Sequence, residues 1–144
     1  MIEFQAQTDI AASQSDVWDI LADGTQYAAW NPEIVGIDGS LTAGATFRAH
    51  VRIGSGAVRR VPLRVADFIP PTRMVWIGGL PFGLFVGERT YTVEPTPIGV
   101  VFKIHLVMRG PLSGLIGKST GNRQAEIDAF AAGLKRRAER TRSH

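Results

Sequence analysis

The chain contains no cysteine. That excludes disulfides, thiolate metal sites and a cysteine nucleophile, and it is compatible with a reducing, cytoplasmic setting. Histidine is nearly as scarce: His50, His105 and His144 are the whole supply, with no metal-ligand spacing among them. No metal and no cofactor is therefore expected. No phosphate loop or nucleophile elbow occurs either. Long apolar runs are missing, because the longest uncharged stretch, residues 74–87, is broken by glycines and by Pro81, so no integral membrane segment is expected. The first residues include Glu3 and no basic run, which does not read as a secretory leader.

Lysine is rare, so the basic balance rests on arginine. The net charge is +3 and the pI is about 9.8. Such a surface attracts anions in general, and weak contact with an anionic membrane surface stays open. Aromatic residues do not interleave with the arginines as stacking on nucleic acid requires, so a nucleic-acid partner is not expected. What is present is an ordinary globular composition, 44% apolar and 20% charged over 144 residues. It suits one domain spanning 1–144, as a monomer or homodimer.

Residues 2–10 alternate as a strand does. Ser13 is a good helix N-cap with Asp16 three positions on, and Val17, Ile20 and Leu21 share one helix face up to Gly24, which is expected to close the helix. A second short helical turn spans 24–30, followed by Trp30-Asn31-Pro32. From Ile34 to Met108, β-branched and aromatic runs alternate with Gly and Pro signals, which places strands near 33–39, 45–53, 59–68, 73–79, 84–94 and 99–108. After Gly110-Pro111, the residues Ile127, Phe130, Ala131, Leu134 and Ala138 form a helical apolar stripe, secure from about Arg123.

The strand, short helix and Trp-Asn-Pro segment of residues 8–32 resembles the start of the SRPBCC superfamily, which includes START-like lipid carriers and the polyketide cyclase/dehydrase group. The Glu94–Gly99 turn and the closing Leu134-Lys135-Arg136-Arg137-Ala138-Glu139 are similar to that family as well. The resemblance covers nearly the whole chain. It implies an α+β helix-grip fold: a seven-stranded curved antiparallel sheet wrapped around a long C-terminal helix, with two short helices after the first strand and a hollow between sheet and helix. A fold of this kind hosts carriers and enzymes alike, so it does not fix the chemistry.

Strand parity selects the residues that face the hollow. Phe47, Ala49 and Val51 alternate with Arg48, His50 and Arg52; Val61, Leu63 and Val65 alternate with Arg60 and Arg64. Placing both apolar sets inside predicts that residue 53 pairs with 59 across a loop of Ser55-Gly56-Ala57. Arg52 then faces Arg60 and Arg48 faces Arg64 on the outside. In the next strands Phe85, Arg89, Tyr91 and Val93 share the inner parity, as do Phe102, Ile104, Leu106 and Met108 in the last. Trp76 shares a face with Met74.

The expected ligand-binding set is Trp30, Phe47, Val51, Trp76, Phe85, Arg89, Tyr91, Leu106, Met108, Arg123 and Ile127. Three of these carry open alternatives. Arg89 is a clamp for a ligand carboxylate or enolate, the partner of Glu88, Asp67 or a main-chain carbonyl, or displaced by a bulge near Gly87. Arg123 either snorkels to water or enters the hollow. Trp30 is either a core plug or a ligand contact. The apolar loop 80–85 is a lid, a membrane-touching tip or simple packing.

No catalytic residue is expected. His50 and His105 point outward, and Asp67 is the one carboxylate whose parity allows an inward position. The leading expectation is binding or transport of a small hydrophobic or amphipathic ligand. The alternatives are a cyclase or dehydrase acting on an aromatic or polyketide intermediate, and an accessory, chaperone-like module that grips a protein.

Overall fold

The computed structural model describes residues 1–53, 57–120 and 123–142. Seven strands form one antiparallel sheet: β1 (Ile2–Ile10), β2 (Ile34–Asp38), β3 (Thr46–Ile53), β4 (Ala57–Ile69), β5 (Arg73–Leu80), β6 (Phe85–Thr96) and β7 (Gly99–Arg109). Their spatial order is β1-β7-β6-β5-β4-β3-β2, so the chain closes the meander by laying its first strand beside its last. Two short helices follow β1, α1 (Gln14–Ala22) and α2 (Tyr27–Trp30); α3 (Ser113–Thr120) and α4 (Gln124–Arg142) follow β7. The sheet curls as a half-barrel around α4, the helix-grip arrangement.

The start of α1 follows its sequence. Ser13 Oγ accepts from the Asp16 amide at 3.2 Å, an N-cap bond that satisfies one of the helix's orphan donors. Gly24 does not close α1. The helix ends at Ala22, and Asp23 takes over by accepting from Thr25 N at 3.1 Å. Gly24 is there for room, since a Cβ would lie 2.9 Å from Ile37 Cβ. At Gly133 a Cβ would be driven into the Trp30 carbonyl oxygen, so glycine lets α4 lie against α2. A separate helix, α3, precedes α4, with Gly114 and Gly117 inside it.

The β3–β4 hairpin departs from its expected register by two residues. Ile53 pairs with Ala57, Val51 with Arg59 and Ala49 with Val61. A shift of two preserves every face, so Val61 stays inside and Arg60 and Arg64 outside. It also dissolves the expected arginine pairs: Arg52 faces Val58, Arg48 faces Pro62, Arg60 faces His50 and Arg64 faces Thr46. Avoiding like charges directly opposite is the physical gain. The expected loop falls in part on residues 54–56, outside the described residues.

The core lies between the inner face of the sheet and α4. Ile127, Phe130 and Leu134 are fully buried. Phe130 stacks on Tyr91 at 5.2 Å between ring centroids and meets Trp30 edge-on at 5.4 Å; Trp76 meets Tyr91 at 4.8 Å and Phe47 at 5.0 Å. Offset and edge-on pairs of this kind add to plain area burial. α4 packs chiefly on β1, α1, α2 and β7. It thus fills one end of the curled sheet with aromatics and leaves the hairpin ends of β3 to β6 uncovered.

A buried arginine cluster beneath an open apolar cavity

The site begins at Asn31. Its Oδ1 accepts from Glu33 N at 2.9 Å and from Ile34 N at 2.8 Å, an Asx turn that sets the backbone as it enters β2. Glu33, just ahead of β2, and Ile34, its first residue, are then both buried, and the register shift of β2 lies beyond them, between Ile34 and Gly36. Strict alternation would have allowed only one of them. Glu33 is only 1% exposed.

Arg89 comes from the inner face of β6 and grips Glu33 with both terminal nitrogens, Nη1 donating to Oε2 at 2.9 Å and Nη2 to Oε1. Arg123, just before α4, donates from Nη2 to Glu33 Oε2 at 2.7 Å and holds Glu126 with Nε at 3.1 Å. Arg89 stands on the inner face as its strand parity predicts, but its partner is Glu33 and neither Glu88 nor Asp67. Glu88 pairs with Arg109, and Asp67 pairs with Arg73 at the surface. Arg123 does not snorkel; the carboxylate holds it at 9% exposure. Arg89 Cζ also stands 5.2 Å from the Phe130 ring centroid and 5.4 Å from that of Tyr91, within cation–π reach.

Burial alone would push the Glu33 carboxyl up. The charge and hydrogen bonds of Arg89, then those of Arg123, outweigh it and hold the group below its ordinary range. Burial, together with the neighbouring Glu33, pushes the Tyr91 hydroxyl up despite Arg89, so it remains protonated. Glu33 therefore binds fewer protons folded than unfolded. Its contribution is complete above the ordinary glutamate range and is lost as pH falls through the depressed native value. Thermal unfolding followed between about pH 7 and about pH 3 should show a smaller acid loss in Glu33→Gln than in the parent chain. Parallel curves would mean that Glu33 is not ionised in the fold.

Above this cluster opens a cavity of about 330 Å³. Its walls are Ile34 of β2, Val51 of β3, Val61 and Leu63 of β4, Trp76 and Leu80 of β5, Phe85 of β6, Leu106 and Met108 of β7, and Ile116 of α3. Absent side chains make the room, because Gly78 of β5 and Gly87 of β6 face each other across the ladder at the wall. Among the described residues, the charged side chains on the wall are three guanidinium groups, Arg59, Arg89 and Arg123. Nε of Arg89 and Nε1 of Trp76 are buried without a hydrogen-bond partner among the described residues. The side-chain chemistry of the wall is apolar surface plus donors.

Of the residues expected at a ligand site, Val51, Trp76, Phe85, Arg89, Leu106, Met108 and Arg123 line this cavity. Trp30, Phe47, Tyr91 and Ile127 belong to the packed aromatic end instead. Sequence reasoning missed Glu33. The available signal was its position after Asn31-Pro32 and before an apolar strand, where an Asx turn aims the chain inward. His50 pairs with Asp38 at 2.7 Å and His105 with Glu3 at 2.9 Å, both toward solvent. Among the described residues no cluster of His, Asp and Glu is arranged to hold a metal, and no helix is long and apolar enough to cross a membrane.

A curled antiparallel sheet gripping a C-terminal helix, with a cavity beside it, defines the START-like class. The family profile for "polyketide cyclase / dehydrase and lipid transport" matches residues 1–139, and the chain belongs to that family. No curated protein matches the sequence. Among solved structures it is similar to a protein from Mesorhizobium loti (18% identity, TM-score 0.74, 97% of this chain and 98% of that one). It is also similar to a START superfamily protein from Mycobacterium smegmatis (19% identity, TM-score 0.69, 96% and 98%). A third is the di-domain ARO/CYC StfQ of the steffimycin biosynthetic pathway (15% identity, TM-score 0.71), where 99% of this chain spans 52% of that one. At these identities the likeness is one of fold.

Proposed function

We propose that the protein binds a small amphipathic molecule, its apolar body in the cavity and an oxygen-bearing end against Arg89 and Arg123. One observation carries this reading: an apolar cavity whose charged side chains, among the described residues, are all guanidinium groups. Guanidinium donates and never accepts. The wall therefore suits carbonyl, hydroxyl or carboxylate oxygens and repels an ammonium group. A volume of about 330 Å³ falls at the lower end of small-molecule sites, so the ligand is compact, of the size of a medium-chain acid or a small aromatic polyketide. Family membership and the START-like fold agree with such a ligand.

Binding is favoured over catalysis by the state of Glu33. A cyclase or dehydrase needs a base beside its substrate. Glu33 is the buried carboxylate nearest the cavity, and two arginines hold it as a weakened base.

Tryptophan fluorescence tests the reading, because Trp76 lines the cavity. Titration with a carboxylic acid, an alcohol and a primary amine of equal chain length should show saturable binding, with the amine weakest by about tenfold or more relative to the acid. No saturable response from any of the three, or an amine that binds as tightly as the acid, would refute the proposal.

A further inference from the structure

We infer that the mouth of the cavity is a docking surface for an anionic lipid bilayer, with Phe82 as the side chain that enters it. This is independent of what occupies the cavity. The β5–β6 connection is a one-turn segment, Pro81–Gly83, and Phe82 at its apex is 98% exposed. Its φ of 61° lies in the left-handed region, where a bulky residue is costly and glycine or asparagine sits easily. The chain thus holds a large aromatic in an unfavourable backbone conformation, and the ring gains almost no burial in return. Packing within the chain does not account for it.

Phe82 is not an isolated exposed residue. Leu80 and Leu84 flank it at 44% and 40% exposure, and Leu115 of α3 is 67% exposed. Leu112 N donates to Leu84 O at 2.9 Å, which ties the tip to the start of α3, so these side chains share one end of the molecule. Leu80 and Phe85 line the cavity, so that end is the cavity mouth.

Charge complementarity selects the occupant. Arg59 lies on the same cavity wall and forms no ion pair among the described residues. Arg60 and Arg64 are exposed along the outer face of β4. The one acidic residue between Arg73 and Arg89, Glu88, is matched by Arg109 at 3.0 Å. An apolar tip bordered by arginine fits a surface that presents anionic headgroups over hydrocarbon. Neither signal suffices alone, since one aromatic binds marginally and the charge is screened within a Debye length.

Flotation with phosphatidylcholine vesicles, with and without about one third phosphatidylglycerol, tests this. The protein should float with the anionic vesicles at low salt and be released as salt rises. Phe82→Asn keeps a residue that tolerates the left-handed backbone and removes the ring. It should weaken flotation about tenfold, with an unchanged circular dichroism spectrum and melting curve. Arg59→Glu should weaken anionic flotation and leave any residual binding to neutral vesicles unaltered. The inference falls if the parent chain ignores anionic vesicles at low salt, or if Phe82→Asn floats as well as the parent. It also falls if Phe82→Asn instead abolishes a concentration-dependent dimer seen without lipid, which would assign the tip to a second copy of the chain.

Discussion

Glu33→Ala destabilises the protein by about 3–5 kcal/mol, the largest loss expected from any single side chain in the cavity region. Glu33 is essentially inaccessible and accepts from Arg89 and Arg123. Removing it leaves Arg89 buried without its anion and Arg123 with Glu126 alone. The cost of that state is the desolvation and mutual repulsion of the arginines, not the net worth of the original bonds. For a chain of this length the loss corresponds to a fall in melting temperature of roughly 10–20 °C. The control is Glu33→Ala combined with Arg89→Met, which removes the cation as well and should recover part of the loss. If the double variant is as unstable as the sum of the two single ones, the residues do not act as a pair.

The same reasoning changes how Arg89 has to be studied. Were its guanidinium only a ligand clamp, Arg89→Met would test ligand chemistry alone. Because Arg89 and Arg123 share Glu33, that substitution leaves a buried carboxylate with only one of its two cations, and lost binding would be confounded with lost structure. Comparing ligands on the unaltered protein avoids the problem.

Much of the fold is legible in the sequence because its periodicities are local. The alternation around Phe47–Val51 and Phe102–Met108 gives the inner faces, and the stripe Ile127, Phe130 and Leu134 gives the gripped helix. Arg89 is legible in the same way, as a cation standing on an apolar parity. Glu33 is not, because it sits ahead of β2 in an Asx turn, where the alternation that parity reasoning relies on does not apply. The partial filling of the hollow is hidden for another reason. Inner parity says that Tyr91, Phe47 and Trp76 face α4, but it does not say how far α4 reaches along the curled sheet. Tyr91 and Phe47 therefore pack in the aromatic end, while Trp76 borders both the core and the cavity.

The limit of α4's reach leads to the second large effect. Gly87→Leu should abolish ligand binding while leaving the protein folded. Gly87 lies on the cavity wall opposite Gly78, and its missing side chain is part of the open volume. A Cβ there would meet the Phe85 ring at 3.7 Å and Gly78 O at 3.8 Å, ordinary van der Waals contacts, and the backbone requires no positive φ. A leucine can therefore extend into the cavity without displacing main chain. Gly78 offers no such opportunity, since a Cβ would fall 2.8 Å from Pro62 O. A leucine side chain takes up a substantial share of a cavity of about 330 Å³, and a compact ligand has nowhere else to place its apolar body. The expected result is a loss of affinity of at least about a hundredfold in the fluorescence titration, with a melting temperature equal to or above that of the parent because an apolar void has been filled. Unchanged affinity in a folded Gly87→Leu protein would move the ligand out of this cavity. Vesicle flotation by the same variant should be unaffected, which separates the cavity from the tip that borders it.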